Sequence, residues 1–305
     1  MMISSSPVAP LTFRPRAVLD TDTYNEVDDQ FALAHLLLSQ DRVQFEEIYA
    51  APFHNSRSQG PADGMERSFD EIMRVLKLLE RVPNTQKPVY RGSRQFMDSA
   101  DKPVESEAAR RLVEIAMAPS DAPGKLYVVA IGACTNVASA ILMEPAITEK
   151  IVVVWLGGNS PYWPSAKEFN LQQDLHAVRV LLDKPVPLVL VPCHPVASHM
   201  QTTVAELEKH LAPYSKLGEY LTDIVRHHHK NEPGWSKVIW DMAATAWLMD
   251  PGWLPTEEKP SPVLLDDMTW QLEMGRRTIS IAKQVHRDPI FADFYAKCKA
   301  LGDLG

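Results

Sequence analysis

The chain has 305 residues, 45% hydrophobic and 23% charged, with a formal net charge of −8. Mean hydropathy is −0.18 and the isoelectric point is about 5.7. That is the composition of an ordinary globular protein, and its acidity argues against nucleic acid and anionic membranes as partners. The longest apolar stretches, LYVVAI and IVVVWL, are too short to span a bilayer. The start, MMISSSPVAPLTFRPR, lacks the basic segment and apolar core of a signal peptide. Cys134, Cys193 and Cys298 have neither disulfide nor metal spacing, so the expected compartment is the reducing cytoplasm.

Residues 1–15 read as a flexible N-terminal extension, and 16–305 as a single domain. AVLD (17–20) is a strand and 29–38 a helix. EEIYAA (46–51) is the next strand, followed by a polar Gly/Pro/Asn loop over 52–65. Apolar residues at Phe69, Ile72, Met73, Leu76 and Leu79 predict a helix over 66–81. Another helix covers 105–117. LYVVAI (126–131) is a buried strand and 136–143 a helix. IVVVWL (151–156) is a strand ending in Gly157-Gly158-Asn159. A helix over 175–182 and a strand over 187–191 follow, then helices over 203–211, 214–229 and 241–249. The Pro-rich stretch 251–262 reads as a surface connection, 260–286 as extended, and 288–300 as a final helix. Fully apolar strands alternating with helices predict an α/β fold: an open, mostly parallel, Rossmann-like sheet covered on both faces.

The densest chemistry lies in VLDTDTYNEVDDQFALA, residues 18–34. Asp20, Asp22, Glu26, Asp28 and Asp29 fall within ten positions. In a strand Asp20 and Asp22 point the same way. Asp28 and Asp29 sit at the first turn of the next helix, where N–H groups and the helix dipole favour anions. One such Asp is ordinarily a cap. Four together repel one another without a cation, and Ca²⁺ suits clustered carboxylates. Glu26 reads as solvated loop surface, and Tyr24 and Asn25 as turn residues.

In open parallel sheets ligands bind beyond the carboxyl ends of the strands. That rule selects Thr135 and Asn136 after the 126–131 strand, with Thr135 a fair helix cap. It selects Asn159, Glu168, Asn170 and Asp174 after 151–156, and His194 and His199 after 187–191. Trp240 and Asp241 open the 241–249 helix. Cys134 reads as a buried structural thiol.

Together these segments resemble the inosine–uridine-type nucleoside hydrolases. VLDTDTYNEVDDQFALA is similar to the family's N-terminal aspartate signature, and GACTNVASAI to its Leu-Thr-Asn helix start. LGGN…KEFNLQQDLHAVRVLL is similar to its Gly-Gly…Glu-Phe-Asn…Asp segment, and WDMAATAWLMDP to its late Asp-bearing helix. The resemblance implies hydrolysis of a ribonucleoside to ribose and free base by a Ca²⁺-bound water. It implies Asp22 as general base and metal ligand. Asp29, the Thr135 carbonyl and Asp241 are implied as the other protein ligands, with Asp20 as support. Asp28, Glu168 and Asn170 are implied contacts to ribose hydroxyls, with Asn159 as a helper. It also implies a homodimer or homotetramer.

Three departures from the family pattern matter. The loop 23–27 is two residues longer than the usual Pro-Gly turn. The loop PFHNSRSQG offers His54 or Asn55 where the family supplies an Asn to the ribose. Trp240 stands where a His often acts as acid toward the leaving base; purine-preferring relatives also place Trp there to stack the base. Trp240 reads either as core packing or as a stacking surface that favours a purine or another flat base, and His199, His54 or stacking on Trp240 itself is left to assist the leaving base.

Two other readings stand beside this one. VLDTDT also fits the Asp-x-Asp-x-Thr start of haloacid-dehalogenase-like phosphatases, with VLLDD at 263–267 imitating their late acidic pair. The longer first loop and the missing His also allow a ribosyl-binding protein without turnover.

Overall fold

The computed structural model describes residues 13–228 and 232–302. Of the expected N-terminal extension, residues 1–12 lie outside the described residues, as does the expected helix end at 229. Pro15 is buried, and its carbonyl accepts the Gln44 N–H at 2.8 Å.

In chain order the elements are β1 (Arg16–Thr21), α1 (Asp29–Leu37), β2 (Gln44–Ala50), α2 (Pro61–Leu78), β3 (Val89–Arg91) and α3 (Glu107–Met117). Then come β4 (Leu126–Ala130), α4 (Thr135–Met143), β5 (Ile151–Leu156), α5 (Phe169–Gln173), α6 (Leu175–Asp183) and β6 (Leu188–Val191). The remainder holds β7 (Gln201–Thr202), α7 (Val204–His210), α8 (Lys216–His228), β8 (Lys237–Val238) and α9 (Met242–Met249). It ends with β9 (Thr256–Pro260), β10 (Val263–Leu264), β11 (Trp270–Gln271), β12 (Thr278–Ala282) and α10 (Arg287–Gly302).

Eight strands form one sheet in the order β3-β2-β1-β4-β5-β6-β12-β9. All neighbours in it are parallel except β12 and β9. The first six strands have the order of a doubly wound sheet. The chain winds outward from β1 to β3, then returns and winds the other way from β4. The reversal leaves a crevice beyond the carboxyl ends of β1 and β4.

Alternation along the strands divides the core in two. Leu19, Val129, Val154 and Val189 face one side, with Phe31, Leu33, Ala243 and Phe294 of α1, α9 and α10. Val18, Val128, Val153 and Trp155 face the other, with Leu112, Val137 and Val178 of α3, α4 and α6. The strands therefore read as continuous apolar runs, as strands covered on both faces must. Each buried Leu, Val or Phe contributes roughly 1.5–3 kcal/mol of apolar transfer.

Several elements differ from the expectation, the short α5, β7 and β8 among them. Helix α2 starts at Pro61, inside the stretch read as loop. Pro at the first helical position costs nothing, because that N–H has no helical partner. Gly64 then lets the chain at Phe53 lie against α2, since a Cβ there would meet the Phe53 carbonyl oxygen at 2.0 Å. Strand β3 is a three-residue edge without an apolar pattern. The stretch 251–262 contains β9, the antiparallel edge, whose TEEKP carries charges that suit an exposed edge. The extended 260–286 segment is broken into β10, β11 and β12 by turns at Asp266-Asp267 and Met274-Gly275.

Candidate active site

The crevice between β1 and β4 gathers the acidic residues. Asp20 is buried within β1, and its Oδ1 accepts the Asn136 side-chain N–H at 2.7 Å. Asn136 is held in turn by the Ser93 N–H and hydroxyl, donating to its Oδ1 at 2.7 and 2.8 Å. Asp22 follows β1 and is fully buried, yet among the described residues neither of its carboxylate oxygens has a hydrogen-bond partner. Gly132, beyond β4, leaves it room: a Cβ there would stand 2.8 Å from Asp22 Oδ1.

Asp28 and Asp241 occupy the cap positions of α1 and α9, but neither side chain makes a capping hydrogen bond. Asp28 Oδ2 instead accepts the Trp240 main-chain N–H at 3.1 Å. One carboxylate oxygen each from Asp28, Asp29 and Asp241 lies within 4.8 Å of the others, the span of a shared cation. Asp29 also accepts the Thr21 hydroxyl at 2.6 Å, and Thr21 is bonded to Thr23 at 2.8 Å.

The electrostatics are those of crowded buried anions. Burial first, then the Asp28 charge, pushes Asp29 up to about 7 against the pull of the Thr21 hydroxyl. Burial, then the charge of Asp29, drives Asp22 well above the carboxylate range. Burial and the charges of Asp28, Asp29 and Asp22 do the same to Asp241. Asp20 rises to about 7 through burial, opposed by Asn136. The buried Lys237 is the local cation, 3.2 Å from Glu26 and 3.9 Å from Asp28. Among the described residues no other cation lies within ion-pair distance of Asp22, Asp28, Asp29 or Asp241, which leaves the cluster short of positive charge, and the all-oxygen donor set fits a hard divalent cation.

A cavity of about 590 Å³ opens over the cluster. Asp28, Asp241, Asn55, Asn159, Glu168, Asn170 and Trp240 line it. Asp22 and Asp29 lie deeper, fully buried beside the carboxylates that reach the cavity. Asn170 donates its amide to the Ile131 and Leu156 carbonyls at 3.1 and 3.0 Å, tying the ends of β4 and β5. Among the described residues its side-chain oxygen accepts no hydrogen bond. Glu168 caps α5, accepting the Asn170, Leu171 and Gly158 N–H groups. Asn159 donates to the Ser165 and Lys167 carbonyls and accepts the His194 N–H, so its amide is spent holding the loop.

Several expected residues are placed differently. His54 is exposed and does not line the cavity; its ring nitrogen meets Ser58 at 3.3 Å. Asn55 reaches the cavity instead, its amide donating to the Asn25 carbonyl at 3.0 Å. His199 is exposed and bonded to the Val196 carbonyl at 3.3 Å, away from the cavity. The one-turn helix there directs it outward. Thr135 is the first helical residue rather than the cap, and its hydroxyl donates to Asp174 at 2.7 Å. Glu26 is half-buried in the cavity wall rather than free loop surface, and burial leads in raising it to about 7. Cys134 is buried and its thiol is pushed up by burial.

Sequence reasoning missed Lys237, Arg57 and Thr21. Lys237 lies in a two-residue strand with no motif around it. Arg57 donates to the Glu26 carbonyl at 2.8 Å across the longer first loop. Thr21 was findable, since its position between Asp20 and Asp22 puts it on the opposite strand face.

Fold and site together define an α/β protein with a carboxylate centre at the switch point of a doubly wound sheet. The chain belongs to the inosine-uridine preferring nucleoside hydrolase family, whose family model matches residues 17–292. A pyrimidine-specific ribonucleoside hydrolase, RihA of Salmonella paratyphi A, is 30% identical over 141 residues. That match covers 43% of this chain and 45% of RihA, so the chain matches under half the length of this curated relative. The fold is similar to that of a plant nucleoside hydrolase, PpNRh1, with TM-score 0.74 and 17% identity over 94% of this chain and 100% of that one. It is also similar to a purine-preferring ribonucleoside hydrolase from Gardnerella vaginalis, with TM-score 0.70 and 18% identity over 95% and 100%. The phosphatase reading loses its support. Asp266 and Asp267, its late acidic pair, are exposed on the β10–β11 turn, with Asp266 paired to Arg179.

Proposed function

We propose that this chain hydrolyses the N-glycosidic bond of a ribonucleoside to ribose and free base. The observation that carries the reading is the pair of buried, unpartnered Asp22 oxygens beside the Asp28–Asp29–Asp241 trio, under a cavity walled by Trp240. Asp22, Asp29, Asp241 and the Thr135 carbonyl would hold a divalent cation, Ca²⁺ in this reading, with Asp28 close enough to share it. When bound, the cation supplies countercharge, orients the ribose hydroxyls and acidifies water.

The protein's own groups do the rest. Asp28, Glu168 and the Asn170 oxygen accept the ribose hydroxyls, with Asn55 at the rim and Asn159 holding the wall. Breaking the bond passes through an oxocarbenium-like state, and the nearby carboxylates stabilise its positive charge. Asp22, with no competing hydrogen bond, takes the proton of the attacking water. Asp20 supports the cluster from β1 through Asn136. Trp240 packs against the core and also lines the cavity, where its indole would stack a purine.

Three free, buried cysteines support a cytoplasmic setting. Among the described residues no helix is long and apolar enough to cross a membrane. Assembly as a homodimer or homotetramer is the family's habit, and sedimentation would test it. The activity is tested by incubating the chain with ribonucleosides and assaying reducing sugar. Tight ribose binding with no base released would favour a binding protein instead.

A further inference from the structure

Resting on the hydrolase reading, the structure leaves one chemical need unmet, a proton for the departing base. Trp240 has no acidic proton, and His54 and His199 lie outside the cavity. His194 lines it. We propose that His194 is a catalytic residue of this chain, donating a proton to a ring nitrogen of the leaving base.

The placement carries the argument. The His194 N–H donates to Asn159 Oδ1 at 3.1 Å, and its carbonyl accepts the Ser160 N–H at 2.8 Å. The backbone is thus pinned on both sides. The imidazole stacks on Trp163, with centroids 5.5 Å apart and planes 12° apart. It meets Trp240 edge-on, with centroids 5.4 Å apart and planes at 76°. Two indoles therefore fix the ring plane beside the surface on which a base would stack. Among the described residues, neither ring nitrogen of His194 is hydrogen-bonded, so both remain for a ligand. His228, the other cavity histidine, already faces Glu26 at 3.4 Å.

The step balances without another reagent. As the C1′–N bond breaks, its electron pair moves onto the base, and the His194 proton goes to a base ring nitrogen. Water adds to C1′ and gives its proton to Asp22. Solvent then reprotonates His194. Imidazole is the usual side chain for such donation near neutral pH.

The test compares two leaving groups. 4-Nitrophenolate departs without protonation, whereas a nucleobase needs it. His194→Gln should lower kcat for a nucleoside by at least about a hundredfold, the scale of general acid catalysis. It should leave 4-nitrophenyl riboside hydrolysis near the wild-type rate. His194→Ala, with melting temperatures of both variants, serves as the check on folding. Equal losses on both substrates, or no loss on either, would overturn the assignment. A wild type that cleaves neither substrate would instead overturn the hydrolase reading itself.

Discussion

The main-chain N–H of Trp240 donates to the carboxylate of Asp28, 212 residues earlier in the chain. The bond joins the loop after β1 to the start of α9, the two segments that supply the acidic trio. It also brings the indole of Trp240 to the edge of the same cavity. The proposed cation site, the proposed stacking surface and the fold therefore meet at one contact.

The acid cluster repels itself when empty, so a bound cation stabilises the fold by mass action. Ca²⁺ should raise the melting temperature of chelator-stripped protein. Asp29→Ala or Asp241→Ala should remove the rise. A wild-type melting curve indifferent to Ca²⁺ would contradict the metal assignment.

Asp22→Asn keeps the shape of the side chain but removes its proton-accepting power. It should lower kcat by at least about a hundredfold. Asp20→Asn should cost less, because Asp20 already spends one oxygen on Asn136. Steady-state rates of the two variants on one nucleoside decide it. A greater loss at Asp20 would place the chemistry there, as a phosphatase-like nucleophile requires.

Trp240→Ala should lower kcat/KM for purine nucleosides more than for pyrimidine ones, since stacking is worth roughly 1–3 kcal/mol per base. Equal losses would assign the indole to packing alone.

Away from the site, α1 and α10 are tied by His35 and Asp293 at 3.0 Å, with Lys297 2.6 Å from the same carboxylate. Burial pushes Asp293 up, but His35 and Lys297 outweigh it and hold the group at about 2. A depressed carboxyl stabilises fully above its unfolded value of about 3.9, and that stability is lost as pH falls through about 2. Burial lowers His35, so its unfolded form takes up a proton first, below 6.5, and stability declines from there. Both groups act in the same direction. Asp293→Asn should cost roughly 1–2 kcal/mol at neutral pH and flatten the steepest part of the acid limb in urea denaturation. Superimposable pH profiles would count against the pair.

How much of this was legible in the sequence depends on range. Of the seven parallel strands of the sheet, β1, β4, β5 and β6 are apolar runs set by their own burial. The acids of the first loop are close in sequence, so their convergence needed no long-range information. Asp241 was placed by its resemblance to a late helix. The rest depended on contacts between distant segments. Asp28 and Asp241 look like helix caps locally, and only the fold shows that neither caps. His194 and His199 stand on one short stretch, and a single 3₁₀ turn sends one inward and the other to solvent. Lys237 and Arg57 carry no local signal, because each is defined by the Glu26 and Asp28 segment it meets across the chain.

The most direct test is a panel of ribonucleosides incubated with the full chain, with free base and reducing sugar measured before and after chelation. The account predicts equal release of both from at least one member, abolished by chelator and restored by Ca²⁺. Failure to release base from any riboside, while ribose still binds, would contradict it.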